Sequence, residues 1–195
     1  MALSELLWPF VSLPETYVAI DTETTGLFNG VVAPDVISIG ITKVENCKLN
    51  ASYEFRARPA MSYTDDSDSV HGIKWEQAQC FEPLSVSWPE INDLILGRLI
   101  VFHNALFDWR VLIAAATRND LKPLAPSGVF CSQRAAQPWA MAKQLKCSER
   151  GPSLDALASY LHLDCVRSQF HLHHSSSTDS ELTANVVERL RLWRD

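Results

Sequence analysis

The stretch YVAIDTETTG, from Tyr17 to Gly26, decides the reading of the fold. Val18, Ala19 and Ile20 are apolar at consecutive positions, so both faces of the segment call for burial, as in a central strand. A strand is therefore predicted over Thr16–Asp21. Asp21 and Glu23 stand two positions apart at its carboxyl end, so their side chains leave the same face. Alone, such a pair can simply be wet, because acids at strand ends are common.

Working outward, DVISIGITKV (Asp35–Val44) and ASYEFRARP (Ala51–Pro59) are β-branched or aromatic runs bounded by Gly, Asn and Pro, which predicts two more strands. From Trp88 the texture changes. WPEINDLIL, FDWRVLIAAATR and RAAQPWAMAK read as helices, and RLIVFH and VFCS between them as short strands. Two further helices are expected near SLDALASYL and ELTANVVERLRLW, with Ser153 and Thr178 as N-caps. Strands first and βα alternation afterwards predict an α/β protein with a mixed sheet covered by helices. Residues 1–15 form a lead-in in which Leu6, Leu7, Trp8, Phe10 and Val11 are too apolar to be left in water, so it is expected to pack on the domain or on a partner. The loop Thr64–Ser69 lacks the Gly and distal Glu of a calcium loop and is expected to be a solvated surface loop.

The chain has 195 residues, enough for one domain with a full core, and its 47% hydrophobic and 21% charged content excludes a disordered tail, a collagen-like fibre or a coiled-coil rod. A net charge of −6 argues against a protein that coats long duplexes, but it leaves room for a local nucleic-acid site. Cys47, Cys80, Cys131, Cys147 and Cys165 are scattered and odd in number, as expected for reduced thiols in a reducing compartment. The first residues lack the basic flank of a secretory signal, and no segment approaches the roughly 18 apolar residues of a membrane span. A cytoplasmic enzyme or binding domain is the class that remains. Leu121–Ser148 holds no acid but includes Lys122, Arg134, Lys143 and Lys146, either a phosphate-facing patch or an ordinary basic surface.

Asp21 and Glu23 are not the only acids in awkward places. Asp108 precedes Val111, Leu112 and Ala115, so it falls on the core-facing stripe of its helix. Asp179 likewise begins a stripe of Leu182, Val186 and Val187. A carboxylate aimed at a core costs several kcal/mol unless something pairs with it. A helix N-terminus could satisfy each Asp singly. Four such acids together favour a cation, and oxygen-only donors favour a hard one, Mg²⁺ or Mn²⁺, over zinc. Two such ions about 3.5–4 Å apart are what a phosphodiester-cleaving site uses. His174 supplies a base that titrates near neutrality, and it converges on Asp179 only if it sits in the loop before the helix. A rival reading takes His171, His173, His174 and Cys165 as zinc ligands, although their spacing matches no recurrent tetrahedral site. His162, on an apolar helix, is read as structural.

VAIDTETTGL, VFHNALFDWRVL and HSSSTDSELTA resemble the three exonuclease motifs of the DEDDh (DnaQ-like) group in the RNase H-like superfamily, which includes the epsilon proofreading subunit of bacterial replicative polymerase and RNase T. The similarity extends to VHGI (Val70–Ile73), VFCSQRAAQPWAMAK and SLDALASYLHL, and so covers most of Thr16–Leu190. The resemblance implies an RNase H-like fold, a five-stranded mixed sheet with helices on both faces, occupying residues 16–195. It implies that Asp21 bridges two Mg²⁺ or Mn²⁺ ions, that Glu23 and Asp179 complete the first, that Asp108 serves the second, and that His174 deprotonates water. It also implies a 3′-terminal nucleotide against Thr24, Gly26 and Leu27, further contacts from His71 and Phe107, and Asn104 holding the motif. Each has a plainer role open to it: Gly26 in a turn, Phe107 in the core, His71 at a helix end.

The expected activity is metal-dependent hydrolysis of single-stranded DNA or RNA from the 3′ end, releasing nucleoside 5′-monophosphates. A non-catalytic module that captures 3′ ends and a scavenger of very short oligonucleotides are the alternatives. The chain ends at Asp195 without the tail by which epsilon docks on its polymerase, so a stand-alone trimming enzyme is expected. Ser176 and Ser180 stand where the family usually has Ala.

Overall fold

The computed structural model describes residues 3–64, 67–163 and 174–193. A 3₁₀ turn at Leu3–Leu7 leads into the short helix α1 (Trp8–Val11), and three long strands follow: β1 (Tyr17–Thr24), β2 (Val36–Glu45) and β3 (Lys48–Arg56). Next come three helices, α2 (Ser67–His71), α3 (Trp75–Ala78) and α4 (Leu84–Ile95). The βα alternation consists of β4 (Leu99–Phe102), α5 (Ala105–Arg118), β5 (Gly128–Cys131) and α6 (Ser132–Ala142). A small hairpin of β6 (Cys147–Ser148) and β7 (Gly151–Pro152) precedes α7 (Leu154–Tyr160) and the last helix, α8 (Ser176–Arg191).

The main sheet has five strands in the order β3-β2-β1-β4-β5. β1 pairs antiparallel with β2, and β2 with β3, whereas β1–β4 and β4–β5 are parallel. The mixed sheet of an RNase H-like fold is thus the one observed, with β1 at its centre. The parallel strands β1, β4 and β5 all end at the same edge, where loops are free to build a site.

Alternation along β1 sorts the chain into two cores. Val18 and Ile20 join a cluster with Ile39, Ile41, Ile91, Val111 and Leu112, under α4 and α5. Tyr17 and Ala19 join the opposite cluster with Trp139, Leu157, Leu182, Val186 and Val187, under α6, α7 and α8. Each fully buried aliphatic side chain contributes about 1.5–3 kcal/mol. The lead-in is part of this second cluster through Leu7, Phe10 and Leu13, while Trp8 and Val11 remain exposed.

Several boundaries differ from the sequence reading. β3 begins at Lys48 because its pairing with β2 runs to the Glu45–Lys48 turn. Thr178 is not an N-cap: α8 starts at Ser176, with Ser175 in the capping position, because Ser176 is seated on β2 as described below. Ser153 does cap α7, its Oγ accepting from the Ala156 N–H at 3.2 Å. The stretch expected as a loop is helical from Ser67, ending where Gly72 takes φ +72° and its N–H donates to the Asp68 carbonyl. Asp65 and Asp66 lie outside the described residues.

Candidate active site

Because side chains alternate along β1, Asp21 and Glu23 share the face of Tyr17 and Ala19 that α8 covers, and Thr22 points the other way, toward α5. α8 lies with its first turn across β2. Ser38, Gly40 and Thr42 form one face of that strand, directly opposite Glu23, Asp21 and Ala19. Ser38 Oγ pairs with Ser176 Oγ at 2.6 Å, and Thr42 Oγ1 with Ser180 Oγ at 2.9 Å. Between them Gly40 admits the helix: a Cβ there would stand 1.9 Å from the Ser176 carbonyl oxygen. Ser176 and Ser180 are therefore the groups that moor α8. This seat carries Asp179, one turn into the helix, to β1.

The result is a group of three carboxylates. Oxygens of Asp21, Glu23 and Asp179 lie within 4.8 Å of one another, with Glu23 and Asp179 buried and Asp21 half-buried. β1 carries a register irregularity between Glu23 and Thr24, the kind of bulge that re-aims side chains beside a site. The donor set is all oxygen and dense in negative charge, which suits a hard divalent cation.

Asp108 is buried on the first turn of α5, on the stripe the sequence assigned to it, and accepts a hydrogen bond from Thr22 Oγ1 at 2.8 Å. Burial pushes its carboxyl up to about 7, opposed by the Thr22 hydrogen bond. It stands beside the group rather than in it, reached from the other face of β1. Among the described residues, then, the structure gathers three of the four expected acids and places the fourth next to Thr22, which separates them along the strand.

His174 lies in the turn before α8, and its Nδ1 is 2.9 Å from Asp179 Oδ2. A carboxylate can only accept, so Nδ1–H donates and Nε2 is the basic nitrogen. Its backbone N–H donates to the Val70 carbonyl at 2.9 Å, tying this turn to α2. His171, His173 and Cys165 lie outside the described residues, while Cys47, Cys80, Cys131 and Cys147 are free thiols. His162 sits just beyond α7 with φ +57°.

Thr24, Gly26, Leu27, His71 and Phe107 come together around a cavity of about 500 Å³ that opens beside Glu23. Thr24 Oγ1 donates to the Gly26 carbonyl at 2.7 Å, and Gly26 has φ +150° with Thr64 Oγ1 where a Cβ would stand. Leu27 projects with 71% of its surface exposed. Its loop is closed at the base by hydrogen bonds between Thr25 and Asp35, and Asp35 is itself pinned by Arg118 and by the N–H groups of Ala60 and Met61. Phe107 meets Phe28 edge-on, with centroids 5.5 Å apart. His71 is buried at the end of α2, edge-on to Tyr63, and its Nδ1 accepts from the Ile73 N–H. Asn104 is not in this cavity: it caps α5, and its carbonyl accepts from the N–H groups of Phe107 and Asp108. The resemblance implied a residue that holds the motif, and the position observed is the helix start.

Sequence reading missed Ser38, Gly40, Thr42 and Asp35. A Gly at the centre of an otherwise buried apolar strand is the one local signal that marked Gly40 as a close-approach position. The acid-free stretch does not form one face. Lys143 Nζ stacks over Trp193 at 5.2 Å and Lys122 lies at a cleft beside Trp88, whereas Arg134 lines a groove at the start of α5.

The model of an exonuclease family named for RNase T matches residues 18–187. PolC-type DNA polymerase III of Thermotoga petrophila is 29% identical over 174 residues, which is 89% of this chain and 12% of that one. The chain thus spans about an eighth of the length of the curated relatives it matches first. Among solved structures, exonuclease X in complex with 5′ overhanging duplex DNA superimposes with a TM-score of 0.65 at 22% identity, covering 89% of this chain and 90% of that one. The nuclease domain of 3′hExo, a DEDDh family member bound to rAMP, gives 0.66 at 15% identity, covering 91% and 92%. No helix among the described residues is long and apolar enough to cross a membrane.

Proposed function

The chain belongs to this family of DnaQ-like, RNase H-like exonucleases, and on that premise we propose that it hydrolyses single-stranded DNA or RNA from the 3′ end, releasing nucleoside 5′-monophosphates. The observation that carries the reading is the meeting of the three carboxylates Asp21, Glu23 and Asp179 with the nucleotide-sized cavity beside Glu23. The terminal nucleotide enters that cavity with its base between Leu27 and Phe107, against the backbone at Gly26, while Thr24 and His71 face its sugar. Its 5′ phosphate then lies at the carboxylates.

Two Mg²⁺ or Mn²⁺ ions held by Asp21, Glu23 and Asp179, with Asp108 serving the second, would neutralise the phosphate and stabilise the entering and departing oxygens. His174 Nε2 takes the proton from the attacking water, and the Asp179 hydrogen bond fixes the ring and stabilises the imidazolium that results. The hydroxyl seat on β2 keeps Asp179 at its station without a rearrangement at each turnover. Residues 16–195 carry this chemistry and residues 1–15 brace it. One neighbour holds DNA and another a ribonucleotide, which supports keeping both substrate classes.

A 3′-labelled single-stranded oligonucleotide incubated with Mg²⁺ or Mn²⁺ tests the reading. Wild type is expected to release labelled mononucleotide, and Asp21→Asn to lose at least ~10²-fold in rate, the scale set by removing one charge-stabilising group from a site. Intact label with wild type, despite measurable binding, would replace hydrolysis by 3′-end capture. Release from dinucleotides alone would make the protein a scavenger of short fragments.

A further inference from the structure

We infer that the nucleic-acid strand leading up to the cleaved bond runs over the β4–β5 side of the sheet, through a groove whose phosphate ligands are Arg134 and Arg150. The inference rests on the exonuclease reading and deepens it. Hydrolysis of a phosphodiester by in-line displacement needs the incoming water and the departing 3′ oxygen on opposite sides of phosphorus. Sheet order fixes which side is which. His174, the base for the water, stands with α8 over β2, on one flank of β1. The departing oxygen, and the strand attached to it, must therefore lie on the other flank, toward β4 and β5.

That flank carries a groove of about 280 Å³ between the start of α5 and the start of α6, and Arg134, Arg150, Gln133 and Trp109 line it. It begins at Asn104, whose carbonyl accepts from the Asp108 N–H, so its near end lies one helical turn along the chain from the acid beside the candidate metal group. Among the described residues no carboxylate lines it, and neither guanidinium is engaged in an ion pair. The two arginines come from separate elements and are brought together by a built contact. Gly151 approaches α6 so closely that a Cβ would stand 2.2 Å from the Gln133 carbonyl oxygen, and Gln133 Nε2 donates to the Pro152 carbonyl at 3.2 Å. This docking sets the β6–β7 turn, with Arg150, beside Arg134. Trp109 and Leu106 offer an apolar floor on which a base can rest.

A wider groove of about 710 Å³ opens on the His174 side, and size alone would choose it. Charge chooses against it. Glu23 and Glu54 line it, and its one arginine, Arg56, is held by Glu54 through Nε at 3.2 Å and a terminal nitrogen at 2.9 Å. Among the described residues its lining offers a polyanion no lysine, and no arginine that is not already ion-paired.

The test is binding of a 5′-fluorescein-labelled oligothymidylate of a dozen nucleotides, read by anisotropy across a salt series in Ca²⁺ to suppress turnover. Each single-strand phosphate contact contributes a slope of roughly 0.7 to the dependence of log affinity on log salt. The double variant Arg134→Ala with Arg150→Ala is expected to bind more weakly at low salt, with a slope shallower by about 1.4. Arg56→Ala is expected to leave the slope as it is. Thymidine 5′-monophosphate, which reaches only the terminal cavity, should show the same dissociation constant in wild type and the double variant. An unchanged slope in the double variant, or a loss carried by Arg56→Ala instead, overturns the inference. Hydrolysis of the nitrophenyl ester of thymidine 5′-monophosphate by wild type is measured alongside. Its absence would undo the exonuclease reading, whereas its presence with unmoved slopes would undo only the strand path.

Discussion

The two ends of α8 both bury carboxylates, and they handle them in opposite ways. At the far end Glu188 Oε1 accepts from the Tyr17 hydroxyl at 2.9 Å and Oε2 forms an ion pair with Arg191 Nε at 3.2 Å, while the terminal nitrogens of Arg191 donate to the Leu13 and Pro14 carbonyls. At that end the acid has its cation built in. Burial beside Glu188 pushes the Tyr17 phenol far above its ordinary range, so it stays a donor. At the near end Asp179 meets an imidazole and two further carboxylates, and Asp108 meets a hydroxyl. There the negative charges are brought to one another, and the fold tolerates the repulsion because α8 is moored by hydroxyl pairs on β2. A buried acid with an arginine is neutralised from within the fold; buried acids that face each other form a donor set that suits a cation.

Breaking the far end is expected to give the largest effect on stability. Glu188→Ala leaves the Tyr17 hydroxyl without its acceptor and Arg191 without its counter-ion, and losing one partner of a buried pair costs about 3–5 kcal/mol. Thermal melting and denaturant titration should show the loss, while Mn²⁺ affinity of the folded protein stays as in wild type. A fall in Mn²⁺ affinity of the same proportion would erase the distinction between the two ends.

Breaking the seat at the near end should do the reverse. Gly40→Ala drives a methyl into the Ser176 carbonyl, so the first turn of α8 must lift. The overpacking costs about 1–3 kcal/mol. The sharper consequence is a loss of Mn²⁺ affinity, of order 10–100-fold, because groups that orient metal ligands are worth that much. Isothermal titration with Mn²⁺ reads it directly. Wild-type affinity in a folded Gly40→Ala variant would show that the close approach does not set Asp179.

A pH slope sharpens the comparison without breaking either end. Asp108 has its folded pKa raised from 3.8 to about 7, so the folded protein holds a proton that the unfolded chain releases in that window. Its contribution to stability is complete below about pH 4 and is lost as pH rises toward 7. Melting of the metal-free protein should therefore drift downward over this range more in wild type than in Asp108→Asn, whose amide keeps an acceptor for Thr22. Parallel melting curves for the two would show that Asp108 is charged throughout.

Much of this was legible in the chain itself. The apolar run before Asp21 marks the central strand, its period of two puts Asp21 and Glu23 on one side, and the apolar stripes after Asp108 and Asp179 turn those acids inward. These are local facts, fixed by the geometry of strand and helix. The N-cap of α8 was misplaced for the complementary reason. Thr178 has the right chemistry, but the helix start is set by where Ser176 lands on Ser38, a residue 138 positions away.

The order of residues thus determined which side chains carry charge and which face of its own element each one occupies, because those depend only on backbone periodicity. Tertiary structure alone decided which faces meet. It placed α8 over β2 through Gly40, left Asp108 on the far side of β1 with Thr22, and paired Arg134 with Arg150 across the contact at Gly151. Such meetings are governed by close approach between segments remote in sequence, and a missing Cβ or a matched pair of hydroxyls matters only once the partner has arrived.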